Sequence, residues 1–164
     1  MIDELLARAD GSIPTHILVG VGPGSFTGLR VAIAAAHGLA IGWGASLHGM
    51  PSLALLAASA PGDEPIVAVM AGGHGELFVQ SFDRAVFVAT SAALNLTARD
   101  AAFAFPTGTL VGSGAAALAE VRGEIAIATL VPTASAALRL PTGLRALAPT
   151  PLYVRSPDAK PKAA

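Results

Sequence analysis

The residues able to do chemistry in this chain are few, and most of them sit beside glycine. Four histidines, His16, His37, His48 and His74, are the candidates for a base or a metal ligand. Their spacing fits no metal motif such as H-E-x-x-H, and no Ser, His and Asp are placed so as to predict a nucleophile with its base. There is no cysteine, which excludes thiolate chemistry and a disulfide framework. His74 stands in Gly72-Gly73-His74-Gly75, and Gly112-Ser113-Gly114 precedes a helical stretch. Successive backbone N–H groups in such turns can hold a phosphate, so Gly73, His74, Gly112 and Gly114 are candidates for a nucleotide contact. A glycine hairpin with an exposed histidine, and a glycine turn packed close to its neighbours, explain the same residues; both readings stay open. A third turn, Gly22-Pro23-Gly24, leads into a helix whose N-terminus could receive an anion. It is neither the dinucleotide fingerprint, since position 27 is Thr, nor a P-loop, since no Gly-Lys-Ser/Thr follows.

The elements around these residues follow from periodicity. Ile17–Val21 is a short β-branched run ended by glycine and predicts a strand. Ser25 or Thr27 is placed to cap the helix that follows. That helix is rich in small residues: Gly28, Ala32, Ala36 and Ala40 recur every four, and Ala34, Gly38 and Gly42 form a second row. Rows at i, i+4 share a face, so other backbones can come close on two sides. Glycine inside a helix costs roughly 1 kcal/mol relative to alanine, which predicts an offsetting contact at Gly38. The helix is then either a core helix against its own sheet, or one whose second small face receives a partner subunit.

Further along, 2–9 has helical spacing, 45–49 predicts a strand, and 52–59 a short helix capped by Ser52. Residues 60–65 (APGDEP) read as a linker. Strands are expected at 66–71, 76–82 and 85–89, joined by the glycine loop and by Asp83-Arg84 into an antiparallel meander. A helix over 97–103, a strand at 109–111 and a helix over 115–121 complete the α/β pattern. Residues 138–147 stay ambiguous, interrupted by Pro141 and Gly143. An extended segment over 152–155 precedes a polar, proline-rich tail that should not pack.

The hydrophobic fraction of 53% and charged fraction of 13% imply a substantial core for 164 residues. No charge occurs between Arg30 and Asp63. Gly38, Gly42, Gly44, Gly49, His37, His48, Ser46 and Pro51 inside that gap argue for core rather than a membrane span. The net charge is −1 with basic residues scattered, so the chain lacks the basic stripe of a nucleic-acid binder. Acids stand at the N-terminus where a signal peptide would carry basic residues, and a cytoplasmic location is expected.

GPGSFTGLR at 22–30, continuing AIAAAHGLA, resembles the signature of the TsaB family, the dimerisation subunit of the bacterial tRNA threonylcarbamoyladenosine synthase. GELF at 75–78, LVGSGA at 110–115 and PLYVRSPDAKP at 151–161 follow in the family's order. The resemblance implies an α/β, actin/Hsp70-like ATPase fold of two RNase-H-like lobes: 1–59 as the remainder of the N-terminal lobe, 60–155 as the C-terminal lobe, 156–164 as a tail. It implies that the small-residue helix joins a helical bundle with the catalytic paralogue TsaD. Gly24, Ser25, Phe26, Thr27, Gly28, Arg30, Ala34, His37 and Gly38 are the expected partner interface. A TsaE-like ATPase would join the complex, tRNA would be met only through it, and a homodimer is open for the chain alone. No cofactor of its own is implied, with ATP a candidate at the level of the complex, and no metal.

Two departures qualify this. Family members begin with an Asp-Thr strand and hairpin ahead of the helix at 2–9, which implies an incomplete N-terminal lobe here. The run Ala71-Gly72-Gly73-His74 is similar to a loop of the catalytic paralogue and keeps a nucleotide contact open. The paralogue's metal-ligand histidines fall at Gly49 and Leu53, neither of which can bind a metal, so a non-catalytic subunit is expected. The alternatives are an M22 glycoprotease-like peptidase and a free-standing nucleotide-binding regulator.

Overall fold

The computed structural model describes residues 4, 6, 7, 10–124 and 129–154. Of the helix expected over 2–9, Glu4, Leu6 and Ala7 are helical; its other residues, the tail at 156–164 and Arg155 lie outside the described residues. Strand β1 (His16–Gly22), helix α1 (Phe26–Trp43) and strand β2 (Ser46–Pro51) form a parallel crossover unit. β1 and β2 pair in register from His16 opposite Ser46 to Gly20 opposite Met50. Parallel strands need such a long connection, and α1 supplies it.

Helix α2 (Ser52–Ser59) follows directly. Leu53, Ala54, Leu56, Ala57 and Ala58 are all buried, so it is apolar all round, as a helix enclosed on every side must be. It packs with Met50 of β2 and with Ile66, Ala68, Phe78 and Phe82 of the second sheet in one core. Ser52 does not cap it: the capping position is Pro51, which makes no side-chain bond. Pro51, fixed in an extended conformation, starts the helix instead.

The second sheet holds β3 (Ile66–Ala71), β4 (Glu76–Asp83), β5 (Val88–Ala89), β6 (Leu94–Thr97) and β7 (Thr109–Val111), with β3 between β4 and β7. β3 pairs antiparallel to β4 and parallel to β7. Its run IVAVMA is continuous because both faces are covered. Ile66 and Ala68 face the α2 core. Val67 and Val69 meet Ala101 of α3 (Ala98–Ala104) and Leu118 of α4 (Ala115–Arg122).

The strand expected at 85–89 is instead a turn followed by two residues of strand. The Asp83 carboxylate accepts a bond from the Ala85 N–H at 3.0 Å, an Asx turn, and Phe87 lies at φ 50°. Arg84 turns inward and donates to the carbonyls of Ala60 and Pro61. β4 therefore finds most of its outer partner in β6, whose register runs from Glu76 opposite Thr97 to Val79 opposite Leu94. The ambiguous stretch at 138–147 resolves into two 3₁₀ turns, Ala134–Arg139 and Thr142–Arg145.

Candidate functional site

Helix α1 is set on the first sheet by its two ends. Ser25 is the N-cap, its hydroxyl accepting from the Gly28 N–H at 3.3 Å, so Thr27 is free of that role. Gly44 ends the helix in the left-handed region at φ 65°. Between them, Leu29, Ile33, Ala36 and Ala40 are the buried residues. Their i, i+4, i+7, i+11 spacing makes one stripe against the sheet.

The opposite face is uncovered. Thr27, Val31, Ala34, Gly38, Ile41 and Gly42 are all exposed, with Val31 at 62% and Ile41 at 83%. A methyl group placed on Gly38 or Gly42 would meet nothing within 4 Å. The helix packs its own sheet with one stripe and turns its second small row outward. The contact expected to offset Gly38 is not made within the described residues. Of the first small row, Ala36 and Ala40 are buried while Gly28 and Ala32 are exposed. By length and mean hydropathy of 1.2, α1 is apolar enough to cross a membrane, yet it carries Arg30 and His37 and packs β1.

At its N-terminal end α1 meets the C-terminal segment. The Phe26 and Tyr153 rings stack with centroids 5.1 Å apart. The Arg30 guanidinium lies 4.0 Å from the Phe26 ring centre, and its Nε–H donates to the Tyr153 hydroxyl at 3.0 Å. The Leu152 N–H donates to the Val21 carbonyl at 2.7 Å, which brings Tyr153 to this place. Gly22 permits the approach: at φ 116°, a side chain there would lie 2.8 Å from the Leu152 carbonyl oxygen. Tyr153, Gly22 and Pro23 also line a cavity of about 740 Å³ that reaches Phe82, Phe87 and Leu144. Tyr153 and Leu152 were not singled out as interface residues from sequence. Their signal was the apolar-aromatic pair after Pro149-x-Pro151, whose partner more than a hundred residues away has no local trace.

The expected interface residues therefore come together. Phe26, Thr27, Gly28, Arg30, Ala34, His37 and Gly38 are exposed along α1, and Ser25 and Gly24 lie at its start. The four nucleotide candidates also share one place. The 3₁₀ turn Gly73–Gly75 and the Gly112–Gly114 turn follow β3 and β7, two parallel neighbours, at the same sheet end. The Ala71 N–H donates to the Ser113 hydroxyl at 3.1 Å, and the Gly114 N–H to the Val69 carbonyl at 3.0 Å. A methyl on Gly114 would lie 2.9 Å from both Leu77 and Val69 side chains, so packing alone requires that glycine. His74 is exposed at φ 61°.

Gly49 is buried and pinned to Leu147 by bonds in both directions, 2.7 and 3.2 Å. Leu53 is wholly buried in the α2 core. Those positions serve packing. Among the described residues no three of His, Cys, Asp and Glu converge to hold a metal.

A family model described as TsaD, tRNA N6-adenosine threonylcarbamoyltransferase, matches residues 1–141. A solved structure from Pseudomonas aeruginosa, of an uncharacterised protein with similarity to peptidase YeaZ, is 25% identical with a TM-score of 0.75. The match covers 94% of this chain and 81% of that one. YeaZ from Pseudomonas aeruginosa is similar at 24% identity and a TM-score of 0.74, covering 93% and 80%. No curated protein matches this chain. The neighbours have actin/Hsp70-like folds, and the expected α/β class holds.

Proposed function

The chain belongs to the TsaD family of tRNA N6-adenosine threonylcarbamoyltransferases, as a TsaB-like member with a part in tRNA modification, and on that premise we propose that it is the non-catalytic dimerisation subunit. In this reading it binds a TsaD-like catalytic paralogue in the cytoplasm and supports threonylcarbamoylation of the adenosine 3′ of the anticodon. A TsaE-like ATPase completes the assembly, ATP enters only at the level of the complex, and tRNA is met through it.

One observation carries the proposal. The outward face of α1 sets the small residues Thr27, Ala34 and Gly38 beside the apolar Val31, and it is uncovered in the chain by itself. Exposed apolar surface on a helix with small residues is suited to burial against a second helix at close range. The chain's own contribution to the reaction is then positional: it holds the paralogue's helices and leaves the transfer to residues of that partner. Gly49 and Leu53, packed into the interior, add nothing to a peptidase reading.

Reconstitution tests it. Modified adenosine in tRNA is quantified after incubation with the chain alone, the paralogue alone and both together, with the ATPase and carbamoyl donor present throughout. Only the pair should support sustained turnover. Product from the chain alone, or full turnover by the paralogue without it, would overturn the proposal.

A further inference from the structure

Arg30 is the one Asp, Glu, Lys or Arg in α1, which also carries His37, and its side chain is held by two neighbours. Phe26 supports the guanidinium face at 4.0 Å, and Tyr153 accepts the Nε–H at 3.0 Å. Among the described residues neither contact engages the terminal nitrogens, which carry four N–H donors. Among the described residues no carboxylate pairs with Arg30. Its place on the helix, at i, i+4, i+7 and i+11 with Ala34, His37 and Ile41, puts it along the border of the uncovered face. A second copy of α1 is a poor complement: residues 11–62 contain no Asp or Glu, so two such helices would bring two arginines together.

We propose that Arg30 is the docking point for a carboxylate on a helix of a different protein, which fixes the register of an otherwise uncharged small-residue interface. A preorganised guanidinium favours planar, two-pronged pairing with a carboxylate, and small apolar faces by themselves specify register weakly. This inference rests on the proposed pairing through α1 and adds the chemistry of the partner: an apolar helix face bearing an acid at its edge, not a second copy of this chain.

The test uses the full chain with its TsaD-like paralogue and measures affinity by calorimetry at low and high salt, beside thermal unfolding of each variant. Arg30→Ala should weaken binding about tenfold or more, Arg30→Glu should abolish it, and Arg30→Lys should recover part of it. None should shift the unfolding midpoint enough to explain the loss. Wild-type affinity should fall with salt, and that of Arg30→Ala much less. Normal binding by Arg30→Ala and Arg30→Glu, while Ala34→Leu blocks it, would keep the α1 interface and overturn this inference. Normal binding by Ala34→Leu as well would bring down the underlying reading. Loss of tRNA retention with unchanged affinity for the paralogue would assign Arg30 to phosphate and overturn the carboxylate. Stronger self-association of the wild type than of Arg30→Glu, with no paralogue binding by either, would overturn the choice of a different protein.

Discussion

The Nε–H of Arg30 donates to the hydroxyl of Tyr153 at 3.0 Å across 123 residues of sequence. This bond, with the Phe26–Tyr153 stack, ties the C-terminal segment to the helix on which the functional account turns. The tie has a predictable strength. Tyr153→Phe keeps the ring and loses the bond, and should cost about 0.5–1 kcal/mol at so exposed a site. Tyr153→Ala also loses the stack and should cost about 1–2 kcal/mol. Urea unfolding separates the two; an Ala variant as stable as wild type would show that the segment is not held there.

A second prediction concerns Gly49. Its added methyl would lie 2.6 Å from the Val21 side chain and 2.7 Å from the Ala148 carbonyl oxygen. Gly49→Ala should therefore destabilise by about 1–3 kcal/mol through overpacking. Unchanged denaturant midpoints would mean that 147–148 can withdraw from β2 without cost.

The glycine turns give a third. Gly112 has φ 117° and lies against the Val69 carbonyl and Leu56, whereas Gly75 has φ 76° with nothing within 4 Å. Gly75→Ala should cost about 1 kcal/mol, the left-handed penalty alone. Gly112→Ala adds a backbone clash and should fold poorly or lose more than about 3 kcal/mol. Equal losses would mean that conformational preference, not packing, explains both turns.

Arg84 supports a fourth. It is 8% exposed, and its two terminal nitrogens donate to Ala60 and Pro61 carbonyls just after α2. Arg84→Met keeps the stem and strands those carbonyls, at a cost of about 2 kcal/mol. A neutral outcome by thermal unfolding would mean that water takes the guanidinium's place.

Where local pattern decides structure, the sequence was readable. Ser25 and Thr27 before a run of helical spacing mark the start of α1 to within two residues, and the Gly112–Gly114 turn before α4 needed only its neighbours. Reading failed where a distant partner decides. The strand expected at 85–89 is cut to Val88–Ala89 as Arg84 is drawn to Ala60 and Pro61, and Leu94–Thr97 pairs with the rest of β4. The rows on α1 were visible as periodicity, but which row meets the sheet is set by Leu29 and Ile33 being large enough to fill it. The link from Leu152 to Val21 has no local signal at all.

The outward row of α1 bears the central claim, and one paired measurement tests it. Ala34→Leu and Gly38→Leu are made separately; thermal unfolding of the free chain and binding to the TsaD-like paralogue are then measured on the same preparations. Gly38 opens onto free space, and leucine is the better helix former by roughly 0.5–1 kcal/mol. Gly38→Leu should therefore melt at or above the wild-type temperature, and Ala34→Leu close to it, while at least one of them loses the paralogue. If both fold as the wild type does and bind it with undiminished affinity, the face is not the interface, and the account of this chain as a docking subunit is contradicted.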